Sequence, residues 1–355
     1  MQRTIANFAI ATLAPGFLLA LAALWGGAWP WLALFSVTLM GLTLDAFARV
    51  DDPVQTPSPK AAATLPVVLA LAHFVLLFLT VAALSDVVPP AKEFGTGANV
   101  ALFLAAGIYM GQVSNANAHE LIHRPGFLSR KLGTLLYISL LFGHHASAHP
   151  AVHHRHVATR RDPNTSRLNE SFYRFLPRAW IGSFRAGLAV EKKRLLRRQR
   201  RAWSAANPYW SYSLGALAFT LLFAGIGGWR GALIYVGLAA YATTQLLLSD
   251  YVQHYGLRRR RMANGRWEPV GPQHSWNAPH WFSSMMMMNA PRHSDHHAHP
   301  GKAFQHLSMP DEGEAPQLPF SLPVMGALAL LPRKWRQVMN PRVKVWHDRA
   351  QLQRA

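Results

Sequence analysis

The chain has 355 residues, half of them hydrophobic, no cysteine, and a formal charge of +20. The lack of cysteine excludes disulfides, iron–sulfur clusters and a built-in four-thiolate iron site, so any electron used here comes from another protein. Apolar bulk with heavy basic charge suits a nucleic-acid binder or a membrane protein whose charges are segregated along the chain.

Segregation decides between the two. Apolar runs of about 18 to 25 residues, long enough to cross a hydrocarbon core, recur at 5–25, 29–47, 65–88, 98–120, 209–227 and 232–253. Six spans put both termini on one side. The first run is broken by Pro15 and Gly16 and followed at once by another, so it reads as a retained span rather than a cleaved signal. Of the Lys and Arg residues, Lys92 and Arg230 alone fall in loops on one side. By the positive-inside rule the other side is cytoplasmic, with the N-terminus, residues 49–64 and 119–207, and the tail from His254. The charge is then topology, and no nucleic-acid partner is expected. The predicted fold is an all-α polytopic membrane protein, one domain over residues 1–355, with six transmembrane helices and a His-rich cytoplasmic cap.

Within that cap, residues 131–148 are apolar but short and are expected to form an interfacial or re-entrant helix. The run EKKRLLRRQRRAW, residues 191–203, predicts a basic helix on the membrane surface, with Leu195, Leu196 and Trp203 as candidate anchors against anionic headgroups. Aromatic residues near span ends, such as Trp25, Trp31 and Phe35, read as an interfacial belt or helix packing.

The 18 histidines are not scattered. HELIH at His119 to His123 is by itself the pattern of a zinc protease, two ligands one helical turn apart with Glu120 as base. Three further elements argue for more metal than that: HxxxHH at His149, His153 and His154; His254 at the end of the last span; and HxxHH at His293, His296 and His297. Residues three or four apart share a helix face, so each cluster is expected to aim two or three rings at one point. Nine converging imidazoles exceed the four ligands of a tetrahedral zinc site, and an all-nitrogen set suits iron or copper better than a lone zinc without choosing between them; a di-iron centre able to bind O2 is the favoured reading. Glu120, Asp250, Asp295 and His274 stand beside these candidates and are expected to hold the outer N–H of a ligand ring. His73 is expected to bond another helix from mid-span. His144, His145, His156, His280, His299, His306 and His347 read as supporting or surface groups.

Together, HELIH, HxxxHH followed by HVAT and DP, HYGL at His254 to Leu257, HSWN at His274 to Asn277, RHSDHHAHP at Arg292 to Pro300 and LPRKWRQVMNPRV near the C-terminus resemble one family. That family is the membrane-bound alkane 1-monooxygenases, relatives of the xylene monooxygenase hydroxylase subunit within the fatty acid desaturase superfamily. The resemblance implies six membrane helices and two non-haem irons held by His119, His123, His149, His153, His154, His254, His293, His296 and His297. It implies hydroxylation of a terminal methyl group to a 1-alkanol with O2, in a bacterial-type inner membrane, with electrons from a rubredoxin or ferredoxin and its reductase. The sequence departs from the family pattern at Ile122, Ala148, Val152 and Gln253, leaving the histidines intact.

A hydrophobic small-molecule substrate is expected to enter from membrane lipid, through a channel with apolar walls and no charged anchor. The competing readings are an aryl-methyl monooxygenase, a fatty acyl desaturase or hydroxylase, an intramembrane zinc protease using HELIH, and a non-enzymatic metal carrier.

Overall fold

A computed structural model describes residues 4–47, 59–88, 95–311 and 313–352. The loop cations Arg49 and Lys92, used above to orient the chain, lie outside the described residues.

The chain is built from helices. In order they are α1 (Ile5–Trp25), α2 (Trp29–Val37), α3 (Leu39–Phe47), α4 (Pro59–Leu84), α5 (Thr96–Tyr109), α6 (Asn115–His123), α7 (Phe127–Ser139), α8 (His145–Ala148), α9 (His154–His156), α10 (Phe172–Arg197), α11 (Pro208–His254), α12 (Trp281–Met286), α13 (His293–Ala298), α14 (Leu322–Ala329) and α15 (Pro332–Leu352). Local chemistry sets several ends. Thr4 and Asn7 form a reciprocal capping box that starts α1, and Gly26 at φ 64° stops it. Thr38, at φ −123° and ψ −94°, separates α2 from α3, so the expected second span is a broken helix.

Five helical stretches among the described residues are long and apolar enough to cross a membrane: Ile5–Trp25, Trp29–Ala46, Lys60–Leu84, Thr96–His123 and Pro208–His254. The last is not one rod. Gly227 and Gly228 are non-helical, with Gly228 at φ 61°, a conformation that favours glycine. On either side of this break Phe223 stacks on Tyr235 with ring centroids 4.7 Å apart. Twelve residues of straight helix would separate them by roughly 18 Å, so α11 turns back and its two arms run side by side. At the same end Arg230 pairs with Asp86.

α5 and the second arm of α11 pack closely because Gly107 and Gly111, four apart, leave no side chain between them. A Cβ at Gly107 would overlap the Tyr241 ring, and one at Gly111 would overlap Gln245, which donates to Gly107 O at 2.8 Å. His73 on α4 bonds Ser114 and Ser139, each at 2.9 Å, and so ties α4 to the turn after α5 and to the end of α7. Ser139, at the end of α7, thus packs against the middle of α4; the stretch expected as one short helix over 131–148 is divided between α7 and α8.

The basic surface helix differs in two respects. It stops at Arg197, with Gln199 at φ 55°, so the run over residues 198–203 is not helical. Leu195 is buried in α10 and does not face outward, because Glu191 one turn earlier bonds Ser147 and draws that face onto α8. Leu196 and Trp203 are exposed, and Lys192 sits 4.1 Å over the Trp203 ring. Trp25, Trp31 and Phe35 are likewise exposed on the outer surface of the bundle.

Candidate metal centre

All nine histidines singled out by spacing converge at one end of the bundle, in two neighbouring groups. His119, His123, His149, His154 and His296 form one, and His153, His254, His293 and His297 the other; within each group, the potential ligand atoms lie within 4.8 Å of one another. The groups adjoin: the rings of His154 and His297, one from each, have centroids 4.6 Å apart.

Sequence clusters and spatial groups do not coincide. His149 and His154 belong to one group and His153 to the other; His296 joins the first, while His293 and His297 join the second. Each cluster does send two rings to one group, as expected, while the second and third clusters each send their remaining histidine, His153 and His296, to the other. Helix geometry gives the reason. Residues His149–His153 form a π turn in which the N–H of His154 donates to His149 O, five residues back. A π turn brings residues five apart onto one face, so His149 and His154 align, with Nε2 atoms 3.0 Å apart, and His153 points aside. In α13 ordinary α spacing brings His293 and His297 together, Nε2 to Nε2 3.1 Å, and turns His296 toward His154 at 3.0 Å.

These short nitrogen pairs test the fit to metal. The remaining pairs are His119 to His149 at 2.8 Å and His254 to His293 at 3.0 Å. Two nitrogens about 2.1 Å from one ion lie about 3.0 Å apart at a right angle, against about 3.4 Å at the tetrahedral angle. The observed separations match the cis edges of a higher-coordinate ion, and five nitrogens in one group exceed a tetrahedral set. Nε2 of His123 and of His153 is buried without a hydrogen-bond partner, as a nitrogen reserved for a metal would be. The residues fit two ions bound by imidazole.

The protonation states agree. Burial, reinforced by neighbouring imidazoles, holds His149, His154, His293, His296 and His297 well below the ordinary imidazole range, hence neutral and able to donate a lone pair. His153 differs. Burial lowers it, but the Asp162 carboxylate more than offsets this and raises it. His153 Nδ1 lies 2.9 Å from Asp162 Oδ2, which also accepts from Thr165 Oγ1 at 2.7 Å. Asp162 is the outer partner that sequence reasoning missed; its signal was the DP dipeptide at Asp162 and Pro163, noted only as a motif. Asn164 extends the network, donating from its backbone to Asp162 at 3.0 Å and from Nδ2 to Asp250 Oδ2 at 2.6 Å.

The groups expected to steady the ligand rings are placed otherwise. Glu120 accepts from Arg124 at 3.0 Å and from the Phe304 N–H at 3.2 Å. Asp295 is bonded by Lys302, Ser308 and His299 and ties down the loop after α13. Burial would raise the Asp295 carboxyl, but these donors hold it below the usual carboxylate range. His274 spans Gly271 N, at 2.9 Å, and Glu268, at 3.1 Å. Asp250 is linked by hydrogen bonds to His153 through Asn164 and Asp162, and its charge also acts on His153 directly. His145, set aside as a supporting residue, stacks on His149 with centroids 4.7 Å apart. His144 bonds Ser183 at 3.1 Å.

A cavity of about 70 Å³ is lined in part by His119, His149 and His293, so both groups border it. Its wall carries Gly111, Ala116, Tyr137, Leu246 and Met287, but also Gln112, Asn115, Ser249, Asp250 and Gln253. The wall is mostly apolar, as expected, but it also carries the carboxyl of Asp250. A second π turn, Met110–Ser114, supplies Gly111 and Gln112, and its widened register turns polar side chains inward. Most of that polarity is spent on the protein: Asn115 donates to Gly111 O and Ala242 O, and Gln253 donates to Ala290 O and accepts from Ser249.

Comparison with known proteins follows this geometry. The fatty acid desaturase family model matches residues 96–328, which contain all nine histidines. The chain belongs to the alkane 1-monooxygenase branch of that family. It is 33% identical to alkane 1-monooxygenase 2 of Pseudomonas aeruginosa over 90% of this chain and 85% of the relative. It is 32% identical to alkane 1-monooxygenase 1 of the same organism over 92% of this chain and 86% of the relative. The xylene/toluene monooxygenase hydroxylase component of Pseudomonas putida is 27% identical over 92% of this chain and 85% of its own length.

Proposed function

We propose that this chain is an integral-membrane di-iron monooxygenase that hydroxylates the terminal methyl group of an alkane to a 1-alkanol. The observation that carries this reading is the pair of adjoining imidazole groups, both of which border one cavity. Each turnover takes RH, O2, two electrons and two protons to ROH and H2O. Two irons, held by His119, His123, His149, His154 and His296 and by His153, His254, His293 and His297, supply the redox chemistry that brings O2 to an unactivated C–H bond.

The chain's own residues bind, orient and exclude water. His119 and His149 from one group and His293 from the other line the cavity, so a methyl group held there lies beside both. Tyr137, Leu246 and Met287 close the wall around it, and the π turn after α5 makes the room. Asp162 fixes the His153 ring and raises its donor strength. The hydrophobic substrate enters from lipid. Without cysteine, the chain draws its electrons from a rubredoxin- or ferredoxin-type partner with its reductase. Six crossings, counting the arms of α11 as two, leave both termini and the histidines on the cytoplasmic side of a bacterial-type inner membrane.

An aryl-methyl substrate is the second reading, favoured by the similarity to the xylene/toluene hydroxylase component over nearly the whole chain. The zinc-protease reading is disfavoured: Glu120 is bound to Arg124 and Phe304, and HELIH supplies only two of nine converging rings. Iron content of detergent-purified protein, with products measured on n-alkanes, xylenes and fatty acids under a reduced rubredoxin supply, tests the proposal. About two irons per chain and 1-alkanol formation are expected. One zinc with no oxygenated product would overturn it.

A further inference from the structure

A separate recess of about 170 Å³ has Asp162 in its lining. Arg160, Arg167, Arg178, Arg258 and Arg259 line it as well. Two of these cations are committed. Arg178 is held by both oxygens of Glu170, at 2.8 and 2.7 Å, and Arg259 by the carbonyls of Glu268 and Arg155. Arg160, Arg167 and Arg258 are exposed and form no ion pair among the described residues. Asp162 forms no ion pair with them among the described residues; it is buried and bonded to His153, Thr165 and Asn164.

We propose that this arginine-walled recess is where an acidic one-electron carrier protein docks and delivers electrons to the histidine group of His153, His254, His293 and His297. The proposal rests on the monooxygenase reading. All four of those histidines are buried, so an electron reaches them through protein. The recess supplies the short route: from its wall to Asp162, then across 2.9 Å to the His153 ring, whose Nε2 faces the group. Carboxylates on the carrier would meet the three unpaired guanidiniums, which steer encounter and fix orientation. Each turnover oxidises two reduced carriers by one electron each, and the two electrons with two protons from water leave one oxygen atom of O2 as H2O. An anionic lipid headgroup would also be drawn to arginine, but it has no use for a floor bonded to a buried histidine. The outer face of α10 and the basic run after it, ending at the exposed Trp203, are better formed for lipid.

The test uses iron-loaded, full-length protein and a reduced acidic rubredoxin as probe. Arg160→Glu with Arg258→Glu is compared with the same substitutions to Gln, and with Arg197→Glu and Arg200→Glu as controls on the basic run. Expected for the recess variants is a rise of roughly tenfold or more in KM for rubredoxin with a flattened ionic-strength dependence, larger for Glu than for Gln, and no such change in the control. Iron content, and the rate when a small neutral mediator supplies the electrons, report whether the site is intact. An unchanged rubredoxin KM overturns the proposal. So does an equal loss with the mediator, or loss of binding to anionic vesicles with rubredoxin KM retained. Iron-loaded unsubstituted protein that forms no alcohol from either electron supply overturns the monooxygenase reading itself, and docking with it; normal turnover with an indifferent recess overturns docking alone.

Discussion

His153 donates from Nδ1 to Oδ2 of Asp162 across 2.9 Å, with both side chains buried. The bond fixes which face of the ring, and which nitrogen, meets the metal. Asp162→Asn keeps the size of the side chain and removes its charge. It should weaken iron binding by roughly 10- to 100-fold at the His153 group, while the group containing His119 keeps its metal. Iron titration followed by Mössbauer spectroscopy of the two sites checks this; equal loss from both would contradict it.

The division of the clusters between two groups makes a second prediction. His296 and His297 are neighbours in sequence but face different groups. His296→Ala and His297→Ala should each abolish turnover, yet each should perturb the spectrum of a different iron, with the protein still inserted. Full activity in either variant would sink the assignment of that residue.

Acid sensitivity follows from burial. In the metal-free protein His149, His154, His293, His296 and His297 are held well below 6.5, whereas in the unfolded chain they titrate near it. Below about pH 6.5 the unfolded chain therefore binds more protons, and stability falls as pH falls. His153, raised by Asp162, has the opposite sign: its contribution is full at low pH and fades as pH rises through its raised value. Five outweigh one. The Tm of metal-free protein should drop between about pH 7.5 and 5.5, and bound iron should suppress the drop at the upper end of that range. A flat profile would argue that these rings are solvated.

Packing between α5 and α11 supplies a fourth test. Gly107 faces the rigid Tyr241 ring, while Gly111 faces the flexible Gln245 side chain. Gly107→Ala should cost about 1–3 kcal/mol through overpacking, and Gly111→Ala less, because Gln245 can swing away at the expense of its bond to Gly107 O. Thermal unfolding in detergent ranks the two; the reverse order would contradict the contact.

Much of this centre is legible in the chain, because histidine spacing survives whatever the helices do. HELIH and HxxHH sit on α-helical turns, so period alone names their residues. What spacing could not give is the partition between groups, since nothing in HPAVH announces that its backbone widens into a π turn. The outer partners were misplaced for a related reason. Glu120, Asp250 and Asp295 were chosen for nearness in sequence, whereas the carboxylate that meets a ligand ring, Asp162, comes from nine residues along the chain after a turn. Of the spans, the break at Thr38 and the inward polarity of Gln112 and Asn115 come from tertiary packing that hydropathy does not register.

The π turn at His149–His153 adds one residue to a single helical loop, and by that addition a row of rings that would serve one centre is shared between two. The division is made twice, here by a widened turn and in α13 by ordinary α spacing. A one-residue deletion there, with every histidine retained, would change which group His153 and His154 face rather than the set of histidines.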